Sequence, residues 1–496
     1  MIYTGGMPKV TDDQQMAAAE PLDLAQVRIT PAQAAVAAGY EPPAAVLRTV
    51  LGRPVYELGD PGYGSTFVHA DSGEIMQPLA PEEAAELASR FLAIPAAKFR
   101  FQQTLDHTDQ WTFTVGRDLP LYKFIVDDEA VTEVYVSANA ARVSTVTTRK
   151  SRTMAWLGTI PHWLYFESLR DNQPLWTKVV VWSSGAGCIM AVLGLGLAVT
   201  RFRKVRPFEL RRAIPYRGLM RWHYVLGSLF GVVTLTWVFS GLVSMEPWAW
   251  TRAEGIRVPP GTLSGGELKL QEFPLPDAQK LQSITGSAVK RLEFSRVLGA
   301  PYFIAGFVPD DADVTGKRDR LHQPYNINGQ LQAAAVVVDA RTGLQHAGFE
   351  PAQLVSTLGS AIAAAHVTES EMLDGYDDYY YSRGNQLPLP VLRIKFDDPV
   401  QSWVYVDPGR GRLLSVIHKW SRLERWLYSG LHSLDFAFWY HKRPLWDIVM
   451  LVLLSGGLGT SLLGLYSGVR RLKTDLVFIS NKLIGKKLPK DVAHAA

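Results

Sequence analysis

The sequence predicts a membrane α-helical bundle that carries α+β domains outside the bilayer, with a two-fold internal repeat. Three observations predict it: three long apolar stretches without charge, basic segments beside them, and self-similarity between two halves of the 496-residue chain. With 14 Trp, 19 Tyr and 20 Phe the chain is not disordered. Its single cysteine, Cys188, excludes an intramolecular disulfide, a thiolate zinc site, an iron–sulfur cluster and covalent haem attachment.

The apolar stretches are residues 179–200, 222–245 and 448–469, none of which contains Asp, Glu, Lys or Arg. Each exceeds the roughly 20 residues that cross the hydrocarbon core of a bilayer. A buried helix of a soluble protein is the alternative. It is disfavoured because such helices rarely stay uncharged on every face for this length.

Basic residues orient these spans. Segment 201–221 contains eight Lys or Arg against one acid, and the tail 470–496 contains seven against two. Both are expected in the cytoplasm, so residues 1–178 and 246–447 are expected on the other side of the membrane, in a periplasm or its equivalent. A nucleic-acid surface is the weaker interpretation, because both clusters adjoin apolar spans. No signal peptide precedes the first outer domain, so a first span is expected to be missing from this sequence.

The repeat is the strongest signal. Between 156 and 201, 15 residues are identical to the residue 270 positions later, against about three expected by chance. Upstream the shift becomes 247, and a polar insertion around 309–330 absorbs the difference. Two parallel repeats imply a four-helix bundle with a pseudo-two-fold axis along the membrane normal.

These features divide the chain into nine parts. They are a periplasmic α+β domain (1–150), an interfacial amphipathic segment (151–178), a span (179–200), a basic cytoplasmic loop (201–221), a span (222–245), a second periplasmic α+β domain (246–418), a second interfacial segment (419–447), a span (448–469) and a basic cytoplasmic tail (470–496).

Within the outer domains, apolar periodicity and turn residues predict a helix on a small antiparallel sheet, repeated about four times. The first half is expected to have helices at 30–39 and 81–92, and strands at 55–58, 65–69, 110–115, 122–127 and 131–136. The second half is expected to have helices at 278–286 and 351–365, and strands at 292–293, 302–308, 333–339, 391–396 and 402–406.

Two sets of motifs resemble a known family. Helix–strand–strand units ending in Asp71-Ser72-Gly73 and at 339–343 resemble PepSY domains. The run with LPVLR (389–393), RWLY (425–428), LHSLDF (431–436) and RPLWD (443–447) resembles the PepSY-associated transmembrane family. The resemblance covers nearly the whole chain. It implies an inner-membrane haem protein with four spans that passes electrons outward, as ferric-siderophore reductases do.

His223 is a candidate haem ligand at the start of a span. Gly227 and Gly231 follow on the same helical face, where a macrocycle could lie close to the backbone. The alternative is an interfacial histidine whose neighbouring glycines serve helix packing.

His162 and His432 are equivalent under the repeat, and each lies in an aromatic segment before a span. A pseudo-two-fold axis could bring both neutral imidazoles to one haem iron. The alternative is two structural histidines. By the same symmetry His223 would pair with a histidine of the missing span. We therefore expect two haem b groups in a complete four-span protein and one or two here.

Other candidates are weaker. His366, His418 and His441 are reserve ligands without a repeat partner, and His107 fits an ordinary surface position. The pairs Gly187/Gly194 and Gly457/Gly464 predict close packing against a helix or a macrocycle. The acidic, Tyr-rich segment 374–381 could receive a ferric chelate or could be a strand with its turn.

No hydrolase triad, metalloprotease motif, Walker loop or dinucleotide fingerprint is present. The electron donor is therefore expected to be external, either a quinol or a cytoplasmic reductase. The favoured function is an oxidoreductase that reduces a periplasmic ferric substrate, such as a ferric siderophore. The alternative is a non-enzymatic membrane protein that binds a peptidase or a TonB-dependent uptake system. A transporter is disfavoured because the spans carry no ionic group.

Overall fold

The computed structural model describes residues 5–60, 64–203, 209–248, 255–309, 334–381 and 387–483. The chain divides into two compact units. The sheet unit comprises Met1–Trp176, Glu254–Tyr376 and Tyr380–Lys419, and the helical unit comprises Thr177–Ala253, Asp377–Tyr379 and Trp420–Ala496. Most of the insertion predicted at 309–330, and parts of the basic loop and tail, lie outside the described residues.

The described part of the sheet unit contains fifteen strands in three antiparallel sheets. They are β1 (Ala45–Val50), β2 (Arg53–Asp60), β3 (Gly64–His69), β4 (Phe99–Leu105), β5 (Leu121–Val126), β6 (Glu133–Ser137), β7 (Arg142–Thr147), β8 (Val289–Val297), β9 (Ala300–Phe307), β10 (Ala334–Asp339), β11 (Gln345–His346), β12 (Val367–Leu373), β13 (Val391–Phe396), β14 (Trp403–Asp407) and β15 (Arg412–Ile417).

The largest sheet joins both halves of the chain, with strand order β11-β10-β9-β8-β1-β2-β3. At its centre β1 and β8 pair antiparallel, and Val46 lies opposite Glu293. These two residues are 247 positions apart, which is the shift that relates the two halves of the sequence in this region. The pairing therefore has local two-fold symmetry. In the same register Arg48 lies directly opposite Arg291.

The two smaller sheets have the orders β4-β5-β6-β7 and β12-β13-β14-β15. Strands β5, β6 and β7 begin and end 270 positions before β13, β14 and β15. Each sheet has a register shift at the same place, at Tyr135/Val136 in one and Tyr405/Val406 in the other. The two sheets thus share their lengths, their order and this irregularity.

The described helices are α1 (Asp12–Ala18), α2 (Pro31–Ala38), α3 (Pro81–Leu92), α4 (Arg149–Leu157), α5 (Thr159–Trp163), α6 (Glu167–Arg170), α7 (Gln173–Thr200), α8 (Leu210–Ala213), α9 (Gly218–Ser244), α10 (Ala278–Thr285), α11 (Pro351–Ala361), α12 (Lys419–Glu424), α13 (Leu431–Ser433), α14 (Ala437–Tyr440) and α15 (Leu445–Leu483). Local signals set their ends. In α2, Thr30 and Gln33 form a capping box, and Gly39 ends the helix in the left-handed conformation.

Helices cover the sheets in a regular way. Helices α2 and α10 pack on one face of the seven-stranded sheet, around Leu47, Tyr56 and Leu292. On the opposite face, one end of the sheet packs against α3 and the sheet of β4–β7, and the other end packs against α11 and the sheet of β12–β15. The middle of that opposite face, near β1 and β8, is not part of either core.

Two expectations for this unit are corrected. Residues 110–115 do not form a strand: the Asp109 carboxylate accepts a hydrogen bond from the amide of Trp111 and starts a turn, and a 3₁₀ helix follows at Phe113–Asp118. The strand of this region is β4. The sequence predicts about four units, each with its own small sheet. The described residues form three sheets, because two of the expected sheets join through the pairing of β1 with β8.

Among the described residues, three helices are long and apolar enough to cross a membrane, over Gln173–Thr200, Gly218–Ser244 and Leu445–Ser480. Small residues allow α9 and α15 to approach closely. A Cβ added to Gly456 of α15 would lie 2.5 Å from ring atoms of Phe230. Helix α15 continues past the predicted end of its span at 469.

Candidate functional site

His223 lies in the second turn of α9 and contacts α15. Its Nδ1 is 3.1 Å from the carbonyl oxygen of Thr460. A carbonyl only accepts, so Nδ1 carries the proton, and in the neutral ring the lone pair is on Nε2. Metal-binding histidines commonly hold this tautomer through a backbone carbonyl. The contact with α15 therefore favours the tautomer that leaves the lone pair on Nε2 of His223.

Gly464 allows this imidazole to lie against α15. A Cβ added at Gly464 would be 3.1 Å from Cε1 of His223. The two glycines predicted to face a macrocycle are placed differently. Gly227 lies beside the methyl group of Thr460, and a Cβ on Gly231 would be 2.9 Å from Cδ2 of Leu195. Both sit at contacts with neighbouring helices, which is the packing alternative.

His432 contacts the other end of α9. Its Nδ1 is 2.9 Å from the hydroxyl oxygen of Ser240, which is fully buried. The same hydroxyl donates to the carbonyl oxygen of Trp237 at 2.9 Å. Because a hydroxyl has one proton, it acts as acceptor toward His432, and Nδ1 of His432 is the donor. Nε2 of His432 then holds the lone pair, as in His223.

A π-helix precedes His432, spanning Arg425–Gly430. Such turns are rare and occur frequently at functional sites. It presents Tyr428 to His432, and the two rings stack with centroids 5.2 Å apart. After the histidine, Leu434 adopts a left-handed φ of 48°, and its carbonyl oxygen accepts from the indole of Trp446. The segment around His432 is therefore fixed on both sides.

Trp237 adds a second polar feature near His432. Its indole Nε1 is buried and has no hydrogen-bond partner among the described residues. Leaving a buried donor unpaired costs about 1–3 kcal/mol. A bound group with an acceptor oxygen would remove this cost. The indole of Trp237 is therefore a donor that such a group could use.

His162 belongs to the sheet unit, in the short helix α5. The hydroxyl of Thr159 donates to the carbonyl of Gly5 at 2.6 Å, and Ile160 is fully buried beside Trp111. Leu164 then takes a left-handed φ of 51°, at the position equivalent to Leu434. These contacts fix the helix that carries the histidine.

Neighbouring protein atoms desolvate the imidazole of His162 and lower its pKa from the ordinary value. The ring is therefore neutral at pH 7, the form that binds a metal ion.

Two of the candidate histidines contact opposite ends of α9. His223 and Ser240 are 17 residues apart on α9, so the imidazoles of His223 and His432 are separated by about 25 Å along the helix. The pairing of His162 with His432 stays a prediction, because His162 lies in the other unit. The described residues contain no group of three or more His, Cys, Asp or Glu that could hold a metal ion.

The remaining candidates are ordinary. The ring of His366 is 90% exposed, with Nδ1 3.3 Å from Asp397. Segment 374–381 is the turn that follows β12. There the hydroxyls of Tyr376 and Tyr380 donate to the carbonyls of Leu387 and Pro388, both at 2.7 Å. The tyrosines of this segment thus hold its own loop together.

Sequence reasoning missed the groups that orient the candidate ligands. These are the Ser240 hydroxyl, the Tyr428 ring and the Thr460 carbonyl. For Ser240 a weak signal existed, since a hydroxyl inside an apolar span requires a partner. No protein-family profile and no curated protein sequence matches the chain.

Proposed function

We propose that this chain is a b-type haem protein of a bacterial inner membrane that passes electrons outward and reduces a periplasmic ferric chelate, such as a ferric siderophore. One observation carries the proposal. Two histidines at opposite ends of α9 each have Nδ1 within hydrogen-bond distance of a protein oxygen, Thr460 for His223 and Ser240 for His432, which favours the tautomer with its lone pair on Nε2. A soluble metal site needs no such separation, whereas two cofactors at two depths of a membrane do.

Haem, when bound, supplies reversible one-electron chemistry at its iron. The residues of the chain would hold and orient the haem. His223, His432 and His162 would supply nitrogen ligands, and Thr460 and Ser240 would orient the rings of His223 and His432. The apolar surfaces of α9 and α15 exclude water from the ligand atoms and lower the local dielectric constant.

The direction of transfer follows from charge. The basic charge of the loop 201–221 and of the tail favours a cytoplasmic location for both segments. The electron donor would be a reductase that docks on this cytoplasmic side or a quinol within the membrane. The sheet unit would then face the periplasm. We also infer that the chain arose by duplication within the PepSY-associated family, since β5–β7 and β13–β15 have identical spacing.

The decisive experiment is a reduced-minus-oxidised absorbance spectrum of the full chain purified in detergent. We expect a b-type signal that falls by about half in His432→Ala and, at the other site, in His223→Ala. His162→Ala should lower the signal as His432→Ala does, because both are expected at one iron. His107→Ala changes an exposed histidine of the sheet unit and is the matched control.

A well-folded protein without haem would overturn the redox proposal and leave the sheet unit as a partner-binding module. A haem signal that survives both His223→Ala and His432→Ala would overturn the assignment of the ligands. Loss of signal in His107→Ala would show that the substitutions act through folding instead.

A further inference from the structure

The sheet unit contains an open cleft with a volume of about 1520 Å³. It lies on the face of the seven-stranded sheet that is opposite α2 and α10, between the cores built on α3 and α11. Its floor is formed by the central strands β1, β2, β8 and β9. Ligand pockets usually measure about 300–1,000 Å³, so this cleft could hold a large solute.

The residues that line the cleft outside segment 9–20 are mainly basic, and four of these cations pair with carboxylates. They contribute seven cationic side chains and only two acidic ones. The cations are Arg48, Arg90, Arg142, Lys290, Arg291, Arg410 and Arg412, and the acids are Glu57 and Glu293.

Two arginines stand side by side on the floor, because Arg48 and Arg291 are directly opposed in the register of β1 and β8. Like charges in such a pair destabilise a sheet. Glu57 neutralises Arg48 at 2.9 Å. Arg291 is exposed and forms no ion pair with a described residue, and the same holds for Arg412 on the opposite wall. Arg291 and Arg412 are therefore cations that an anion in the cleft could bind without displacing a carboxylate.

The N-terminal segment 9–20 lines the rest of the cleft, with three acids, Asp12, Asp13 and Glu20, and one lysine. Two contacts with β8 and β9 hold the segment there. The ammonium group of Lys290 donates to the carbonyl of Ala17 at 2.7 Å, and Met16 packs against Gly306. The segment thus brings carboxylates to a basic surface, as an anionic ligand would.

We propose that this cleft binds an anionic metal chelate whose ligand groups are carboxylates, and that the acidic segment 9–20 competes with it for the arginines. Arg side chains suit this ligand because their planar fork matches the two oxygens of a carboxylate. The inference deepens the proposed function, since it names the charge class of the ferric substrate. It concerns binding alone, so it can be tested without electron transfer.

The test is calorimetric titration of the full chain with gallium(III) citrate, which is anionic and is not reduced under these conditions. We expect saturable binding that weakens as NaCl rises from low to high concentration, because screening acts on exposed charges. A cationic gallium trihydroxamate complex should bind at least about tenfold more weakly. Equal binding of both complexes, or binding of neither, would overturn the proposal.

Variants locate the site. Arg291→Gln and Arg412→Gln each remove an exposed cation without breaking an ion pair, and each should weaken binding about tenfold. Arg341→Gln, an exposed arginine outside the cleft lining, is the control and should leave affinity unchanged. Asp12→Asn should tighten binding several-fold if segment 9–20 competes. Equal affinity in all four variants would place the anion elsewhere.

The two proposals fail separately. Gallium binding in a protein that lacks haem would support the cleft and overturn the reductase. A haem protein that does not bind gallium citrate would keep the reductase and overturn the cleft. Free citrate binding as tightly as its gallium complex would overturn the assignment of a chelate as ligand.

Discussion

Ser240→Ala is the sharpest perturbation of the candidate ligand at His432. It removes the acceptor of the Nδ1 hydrogen bond, at a position of α9 that is fully buried. An unsatisfied buried donor costs about 1–3 kcal/mol, which corresponds to a factor of about 5–150. Loss of such an orienting partner typically lowers metal affinity by 10–100-fold. We expect the haem affinity of this site to fall by about 10–100-fold.

The assay is titration of haem into haem-depleted full-length protein, followed by absorbance. Ser244→Ala is the matched control. Ser244 also donates a hydrogen bond to a carbonyl three residues earlier on α9, and within the described part of the chain it makes no hydrogen bond to a histidine. Its affinity should equal that of the unmodified protein. If Ser240→Ala and Ser244→Ala bind haem equally well, the hydroxyl does not orient His432 and our reasoning about its tautomer is wrong.

Two further predictions use glycines. Gly464→Ala places a methyl group 3.1 Å from the ring of His223, so we expect a lower haem content, measured by absorbance. Gly194→Ala is the control, because a methyl group there has nothing within 4 Å and should leave the haem content unchanged. Gly411→Ala places Cβ 2.2 Å from a buried valine of β8 at φ 61°, and should lower stability by more than about 2 kcal/mol in chemical unfolding. Gly286→Ala has a similar φ of 63° and open space, so about 1–2 kcal/mol is expected. Equal losses in the last two variants would contradict the role of the contact.

Much of the fold was predictable where local signals are strong. Helices α2, α3 and α10 match their predicted positions within one residue, because a capping side chain and a glycine mark the ends of α2 and α10, and Pro81 marks the start of α3. Strands without an alternating pattern were missed. Strand β1 begins with three consecutive buried apolar residues, followed by Arg48 and Thr49, so its apolar residues do not alternate with polar ones. In β4 the alternation of Phe99 and Phe101 stops at Gln103, and most of the strand is exposed.

The candidate site was predictable only in part. The histidines stand out by their position beside spans and by the repeat. Their orienting partners do not, since Ser240 is 192 residues from His432, and Thr460 is 237 residues from His223. Which nitrogen carries the proton depends on these distant contacts. The tautomer of each ring can therefore be assigned only once the packing of α9 against its neighbours is known.

The pairing of β1 with β8 makes the two halves of the sheet unit mutually dependent for solubility. A half chain produced alone would expose one of these strands as an unprotected edge, and such edges recruit other chains. Since Val46 and Glu293 occupy equivalent positions in the two halves, the partner that best fits the free edge is another copy of the same half. Separately expressed halves are therefore expected to dimerise through this edge or to aggregate, and they will not behave as independent monomeric domains.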